Sequence, residues 1–135
     1  MHDEPIHTLL VVDAQPIVRL AIREVLSDKA FNIIGESTRG DSALRMIRAL
    51  VPDLVLLDLD LPDLDGLSVL AEIRQMPFQV PVVVFSALPA DRFARPCKEL
   101  GAAAYVSKKA SADQLVATLV SVATQSDYLS SMPPD

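Results

Sequence analysis

The sequence predicts an α/β fold, a doubly wound parallel sheet with helices on both faces. Short, wholly apolar runs alternate along the chain with longer stretches whose apolar residues recur at helical spacing. The connections between them are short, so neighbouring strands run parallel, joined by right-handed crossover helices. Half of the 135 residues are hydrophobic, yet only 4% are aromatic and none is Trp. A Val-, Leu- and Ile-rich core of this kind suits strands buried on both faces.

Thr8 to Val12 reads as strand one, ending at Asp13. Pro16 sits where a helix begins, since its missing N–H is no loss in a first turn. Val18, Ala21, Ile22, Val25 and Leu26 then form one apolar face. Phe31 to Gly35 reads as strand two. Helix two spans about Asp41 to Leu50, with Ala43, Ile47 and Leu50 expected inward, and Pro52 ends it. Leu54 to Leu57 is a central strand ending at Asp58, followed by the turn formers Leu61-Pro62-Asp63-Leu64-Asp65-Gly66. Helix three carries Leu67, Leu70 and Ile73. Val82 to Phe85 is strand four, ending at Ser86. Helix four starts at Pro89 and runs to about Leu100, with Pro96 expected to kink or stop it and Gly101 to cap it. Ala103 to Val106 is strand five, ending near Lys108. Ser111-Ala112-Asp113-Gln114 matches a capping box ahead of the last helix, where Leu115, Leu119 and Val122 recur.

These boundaries predict one domain over residues 1–126. Residues 127–135, with Ser130-Ser131 and Pro133-Pro134, read as a tail or linker. The net charge of -6 disfavours direct binding to DNA or RNA. Lone Cys97 is expected as a small core residue, and one cysteine permits no internal disulfide. No apolar run reaches the roughly 20 residues of a membrane span, and MHDEPIH lacks the pattern of a signal peptide. The chain reads as cytoplasmic, with no membrane partner. His2 and His7 precede strand one and receive no role.

The chemistry collects at the carboxyl ends of the strands, where ligands bind in such sheets. Strand one ends in Asp13, strand three in Asp58, strand four in Ser86 and strand five in Lys108. Each alone is an ordinary cap, turn former or solvated side chain. Together they make a set. Paired carboxylates stay ionised only with a cation between them, and Mg²⁺ favours one or two carboxylates with waters and phosphate oxygens. A carboxylate can also attack phosphorus to give an aspartyl phosphate, with a Lys charge and a hydroxyl steadying the transferred group.

These residues resemble the receiver domain of two-component response regulators, over about Thr8 to Thr124. LLVVDAQPIVR is similar to the family's first strand and acidic loop, PDLVLLDLDLPDLDGL to its phosphoacceptor strand and loop, VVVFSA to its Ser/Thr segment, and GAAAYVSKKAS to its Lys segment. The resemblance implies a flavodoxin-like (βα)5 sandwich with strand order 2-1-3-4-5. It implies Asp58 as phosphoacceptor, Ser86 and Lys108 as its catalytic helpers, and Ser86 and Tyr105 as switch residues. It places Mg²⁺ at Asp13, Asp58 and the backbone carbonyl of Asp60. Gln15-Pro16, the Ala-rich 101–104 stretch and the run Lys108 to Ser111 resemble the NarL/LuxR-type subgroup. There a receiver precedes a helix-turn-helix DNA-binding domain, absent from this chain. The implied partners are a sensor histidine kinase, a second copy on phosphorylation, and DNA only through that missing domain. The implied protein is a signalling domain and not an enzyme, beyond Mg²⁺-dependent self-phosphorylation and self-dephosphorylation.

One position departs from the family. The second acid after strand one, a direct metal ligand in the family, is Ala14 here. Weakened Mg²⁺ binding is expected, and two readings of Asp60 stand side by side: its carboxylate partly replaces the missing acid, or its side chain points to solvent. Ala14 also supports a different reading, a pseudo-receiver that binds partners without being phosphorylated. Asp58-Leu59-Asp60 further resembles the DxD motif of haloacid-dehalogenase-type phosphatases. Those enzymes place that motif on their opening strand and follow the Lys with an acidic pair, and this chain does neither. A flavin or dinucleotide site is disfavoured, since Asp13-Ala14-Gln15-Pro16 offers no glycine or hydroxyl to cradle a phosphate.

Overall fold

The computed structural model describes residues 6–131. Five strands and five helices alternate along it: β1 (His7–Val12), α1 (Pro16–Leu26), β2 (Phe31–Ser37), α2 (Gly40–Leu50), β3 (Leu54–Leu57), α3 (Gly66–Arg74), β4 (Val82–Ser86), α4 (Ala90–Glu99), β5 (Ala104–Ser107) and α5 (Ala112–Ser131). All pairings are parallel, and the order across the sheet is β2-β1-β3-β4-β5. This is the flavodoxin-like arrangement expected from the sequence.

The period-two alternation of strand side chains divides the core into two layers. Leu10, Val12, Val55, Leu57, Val82 and Val84 pack with α2 and α3 residues Ala43, Ile47, Val69 and Leu70. Leu9, Val11, Leu54, Leu56, Val83 and Val106 pack on the other face with Ile22 and Leu26 of α1 and Leu115, Leu119 and Val122 of α5. Cys97 is fully buried in the first layer, as its small apolar character suggested.

Most boundaries follow local chemistry. Pro16 opens α1 at its first turn. Asp65 caps α3 by accepting from the Ser68 N–H at 2.9 Å. The Ser111 hydroxyl accepts from the Gln114 N–H at 3.1 Å. After α4, Gly101 adopts φ +96°, and its N–H and that of Ala102 return to the carbonyls of Lys98 and Cys97. That pair of bonds is a Schellman ending, which needs a left-handed residue.

Several expectations need correction. His7 is a buried residue of β1, its ring 5.9 Å from that of Phe31, and not a solvated end. Leu50, the last residue of α2, is 44% exposed although its Cδ1 lies near Gly35 of β2; Ala21 is likewise on the solvent side of α1. Pro96 does not stop α4, which loses one backbone donor and continues to Glu99. β2 runs two residues further than expected, through a register shift opposite Leu9 and Leu10. β5 begins one residue later than read. The helical pattern of α5 carries on to Ser131, through residues read as the start of a linker. Residues 132–135 lie outside the described part.

Candidate functional site

The parallel ladder aligns the strand ends into a rim. The Asp13 N–H donates to the Ser37 carbonyl, the Asp58 N–H to the Val12 carbonyl, and the Lys108 N–H to the Ser86 carbonyl, each at 2.9 Å. Each bond reaches just beyond a strand, so side chains far apart in sequence emerge side by side.

Asp13 and Asp58 converge there on one ammonium. Lys108 Nζ lies 2.8 Å from Asp13 Oδ2 and 3.1 Å from Asp58 Oδ2. The carboxylates are almost wholly buried, at 2% and 3% side-chain exposure. Their second oxygens are also engaged: Asp13 Oδ1 accepts from the Gln15 N–H at 2.9 Å and Asp58 Oδ1 from the Asp60 N–H at 3.3 Å. Burial pushes the Asp58 carboxyl above its usual range and the Asp13 charge adds to this, while the hydrogen bond and charge of Lys108 pull it back without cancelling the rise. Burial works to lower the Lys108 ammonium, but its bonds to Asp13 and Asp58 outweigh that and raise it.

Ser86 is fully buried, and its Oγ accepts from the Leu88 N–H at 3.0 Å. The Tyr105 hydroxyl donates to the Leu88 carbonyl at 2.7 Å. One residue, Leu88, is thus held at both of its backbone groups by Ser86 and Tyr105.

The rim also uses residues that the sequence did not single out. Arg19 of α1 donates to the Asp13 carbonyl at 2.6 Å and pairs with Glu36 at 3.3 Å, and Glu36 also pairs with Arg23 at 3.2 Å. Only the i, i+4 spacing of the two arginines on a helix hinted at a shared acid. Asp60 is different from the other acids: its side chain is exposed, and it reaches Asp58 through its backbone N–H.

The donor set suits a hard divalent cation. Two buried carboxylates already share one positive charge, and Mg²⁺ is held by one or two carboxylates with water and phosphate completing its shell. Ala14 contributes no oxygen. Among the described residues, no group of three or more His, Cys, Asp or Glu side chains is placed to hold a metal, so a cation here would rest on two acids.

The family model for the response regulator receiver domain matches residues 9–120. The chain belongs to the response regulator receiver family. Relatives of this receiver include the virulence factors putative positive transcription regulator BvgA of Bordetella pertussis, 37% identical over 100 residues, which are 74% of this chain and 48% of BvgA. Among solved structures, a LuxR-family two-component response regulator from Aurantimonas sp. SI85-9A1 superposes with a TM-score of 0.84 at 27% identity, over 89% of this chain and 86% of that one. The receiver domain of the putative response regulator NarL from Mycobacterium tuberculosis also reaches 0.84, at 28% identity over 90% and 98% of the two chains. The receiver spans about half the length of the curated relatives it matches. No helix among its described residues is long and apolar enough to cross a membrane.

Proposed function

We propose that this receiver accepts a phosphoryl group on Asp58 and uses it to shift between two conformations. The observation that carries the reading is the meeting of Asp13, Asp58 and Lys108 at one buried point beside Ser86. In the proposed step a carboxylate oxygen of Asp58 attacks phosphorus. The bond from phosphorus to the leaving group, a histidine nitrogen of a kinase or the oxygen of a small acyl phosphate, breaks and its electron pair departs with that group. The product is an aspartyl phosphate. Lys108 keeps Asp58 ionised beside Asp13 beforehand and afterwards faces the phosphoryl oxygens as a point charge. Asp13 and Asp58, with the Asp60 backbone carbonyl, would hold Mg²⁺, which supplies charge neutralisation on the transferring oxygens.

The switch would use Leu88. Ser86 Oγ, turned toward a phosphoryl oxygen, gives up the Leu88 N–H. The Tyr105 bond to the Leu88 carbonyl then loses its partner across that residue, and the surface formed by α4, β5 and α5 is biased. A sensor histidine kinase as donor, pairing of two copies, and control of a DNA-binding domain beyond residue 135 complete the proposal. The LuxR-family relatives support it, as does the acidic net charge, which leaves DNA contact to another domain. The same setting points to the cytoplasm.

Ala14 favours one rival, an unphosphorylated interaction module. Intact mass after incubation with acetyl phosphate decides between them. A Mg²⁺-dependent gain of one phosphoryl group, absent in Asp58→Asn, is expected. No gain, with the same donor active on another receiver, would overturn the acceptor reading.

A further inference from the structure

We infer that Asp63 is a positioning residue that ties the loop after Asp58 to the N-terminus of α2, and through it to the loop carrying Asp13. The inference rests on the reading of Asp58 as acceptor. Residues 58–66 run from the acceptor to α3. The Asp60 N–H donates to Asp58 Oδ1 at the near end, and the Gly66 N–H closes the loop on the Leu59 carbonyl at 2.9 Å. Between them the Asp63 carboxylate leaves its own segment. Oδ1 accepts from the Gly40 N–H at 2.7 Å and Oδ2 from the Asp41 N–H at 2.9 Å.

A helix usually takes its cap from the residue before it. In α2 that residue is Arg39, whose side chain makes no cap bond, and the acceptor loop supplies the missing acceptors instead. The fit is close: a Cβ on Gly40 would stand 2.9 Å from Leu64 Cβ and 3.0 Å from Val69 Cγ2. Partial burial works against ionisation of Asp63, but the N–H groups of Asp41 and Gly40 outweigh it and hold the carboxyl well below its usual range.

The same stretch of chain grips the other acid. The Ser37 carbonyl accepts from the Asp13 N–H at 2.9 Å, and the Ser37 hydroxyl bonds the Arg39 carbonyl and the Ser42 hydroxyl. Residues 37–41 therefore touch the Asp13 loop at one end and Asp63 at the other. With Ala14 in place of an acid, fewer charges draw the two loops toward a common cation. Their spacing has to come from contacts such as these, and small misplacements of reacting groups are costly in rate.

The test compares Asp63→Ala and Asp63→Asn with Asp53→Ala in the full chain. Asp53 accepts from the Thr8 N–H at 2.8 Å where β1 begins, so its loss removes a similar carboxylate–backbone bond remote from the rim. With acetyl phosphate and Mg²⁺, Asp63→Ala should be phosphorylated about tenfold more slowly. Asp63→Asn, which retains one good acceptor, should fall between it and the wild type. Asp53→Ala should keep the wild-type rate. In amide NMR spectra, Asp63→Ala should move the Asp60 and Asp13 signals along with those of Gly40 and Asp41, and Asp53→Ala should not. A wild-type rate for Asp63→Ala, or an equal loss in Asp53→Ala at equal stability, would overturn the inference. Where Asp63→Ala does not fold, Asp63→Asn decides by the same comparison with wild type. If the wild type itself gains no phosphoryl group, the acceptor reading fails. The amide signals of Asp60 and Asp13 then judge the tie alone, and their staying in place would refute it.

Discussion

Replacing Lys108 with Met keeps an unbranched stem and removes the ammonium on which the rim is built. Asp13 and Asp58 are then left buried without a cation between them. The Nζ distances of 2.8 and 3.1 Å place the two Oδ2 atoms within about 6 Å of each other. At an effective dielectric of about 20, two unit charges at that separation repel by about 3 kcal/mol. Removing one partner of a buried ion pair costs about 3–5 kcal/mol in general, so the two routes agree. Urea unfolding at pH 7, in low salt without Mg²⁺, should show Lys108→Met less stable by about 3 kcal/mol. In an Asp58→Asn background one carboxylate charge is already gone, and the same replacement should cost half as much or less, a coupling within the range seen for contacting residues. The deficit should also shrink as pH is lowered. Without the ammonium the folded state holds a carboxyl whose pKa is raised, so it binds more protons than the unfolded chain and stability climbs as pH falls. A cost below about 1 kcal/mol, or the same cost in both backgrounds, would refute the account of Lys108 as the charge that offsets the two buried carboxylates.

Two stability effects follow from neighbouring features. The Asp58 carboxyl is raised mainly by burial, so its ionised form destabilises the fold above its folded pKa, and Asp58→Asn should be more stable than wild type at pH 7 in urea melts. That advantage should fade in acid, as the wild-type carboxyl takes up its proton. Val51, the C-cap of α2, sits at φ 42° and ψ 65°, a left-handed conformation that a β-branched residue adopts at a cost of about 1–2 kcal/mol. Val51→Gly should therefore raise the unfolding free energy in urea melts by about 1 kcal/mol after glycine's own entropy loss, and a lower stability would show that Val51 contributes packing instead.

The fold was legible because its signals are local. The run Leu54 to Leu57 is buried at every position, which is what an uninterrupted aliphatic strand announces. The rim was legible for the same reason: Asp13, Asp58 and Lys108 each directly follow a strand, Ser86 closes one, and parallel strands bring such ends together. What escaped depended on tertiary partners. Asp63 looked like one more turn former, since nothing in its neighbourhood names an α2 terminus more than twenty residues earlier as its partner. Arg19 and Glu36 belong to different elements and meet only after α1 folds across β2. Leu50 has helical spacing and lies near Gly35 of β2, yet at the last position of α2 it stays 44% exposed, and periodicity carries no information on how far a helix end is covered. Pro96 carries a real penalty, yet α4 continues past it, with Cys97 next to it fully buried against the core, since tertiary packing decides most helical stability.

The size of the proposed switch can be set against the contacts that would run it. Leu88 is held by two hydrogen bonds, one from its N–H to Ser86 and one to its carbonyl from Tyr105. Each is worth about 1 kcal/mol net. A phosphoryl group can shift the equilibrium only by the difference between its contacts in the two states. A switch that trades these two bonds for contacts to the phosphoryl group is therefore scaled by about 1–3 kcal/mol, the usual span of allosteric coupling, or roughly a 5–150-fold change in ratio. Moving a population from 1:99 to 99:1 takes about 5.5 kcal/mol. The Leu88 link alone thus accounts for a partial shift, and a full one needs a second source of energy. Association of two copies in only one of the two states is such a source, since it adds its own binding free energy to that state. If two copies pair in only one of the two states, a phosphorylated domain should respond more completely at high protein concentration than at low, with association completing the small bias at the rim.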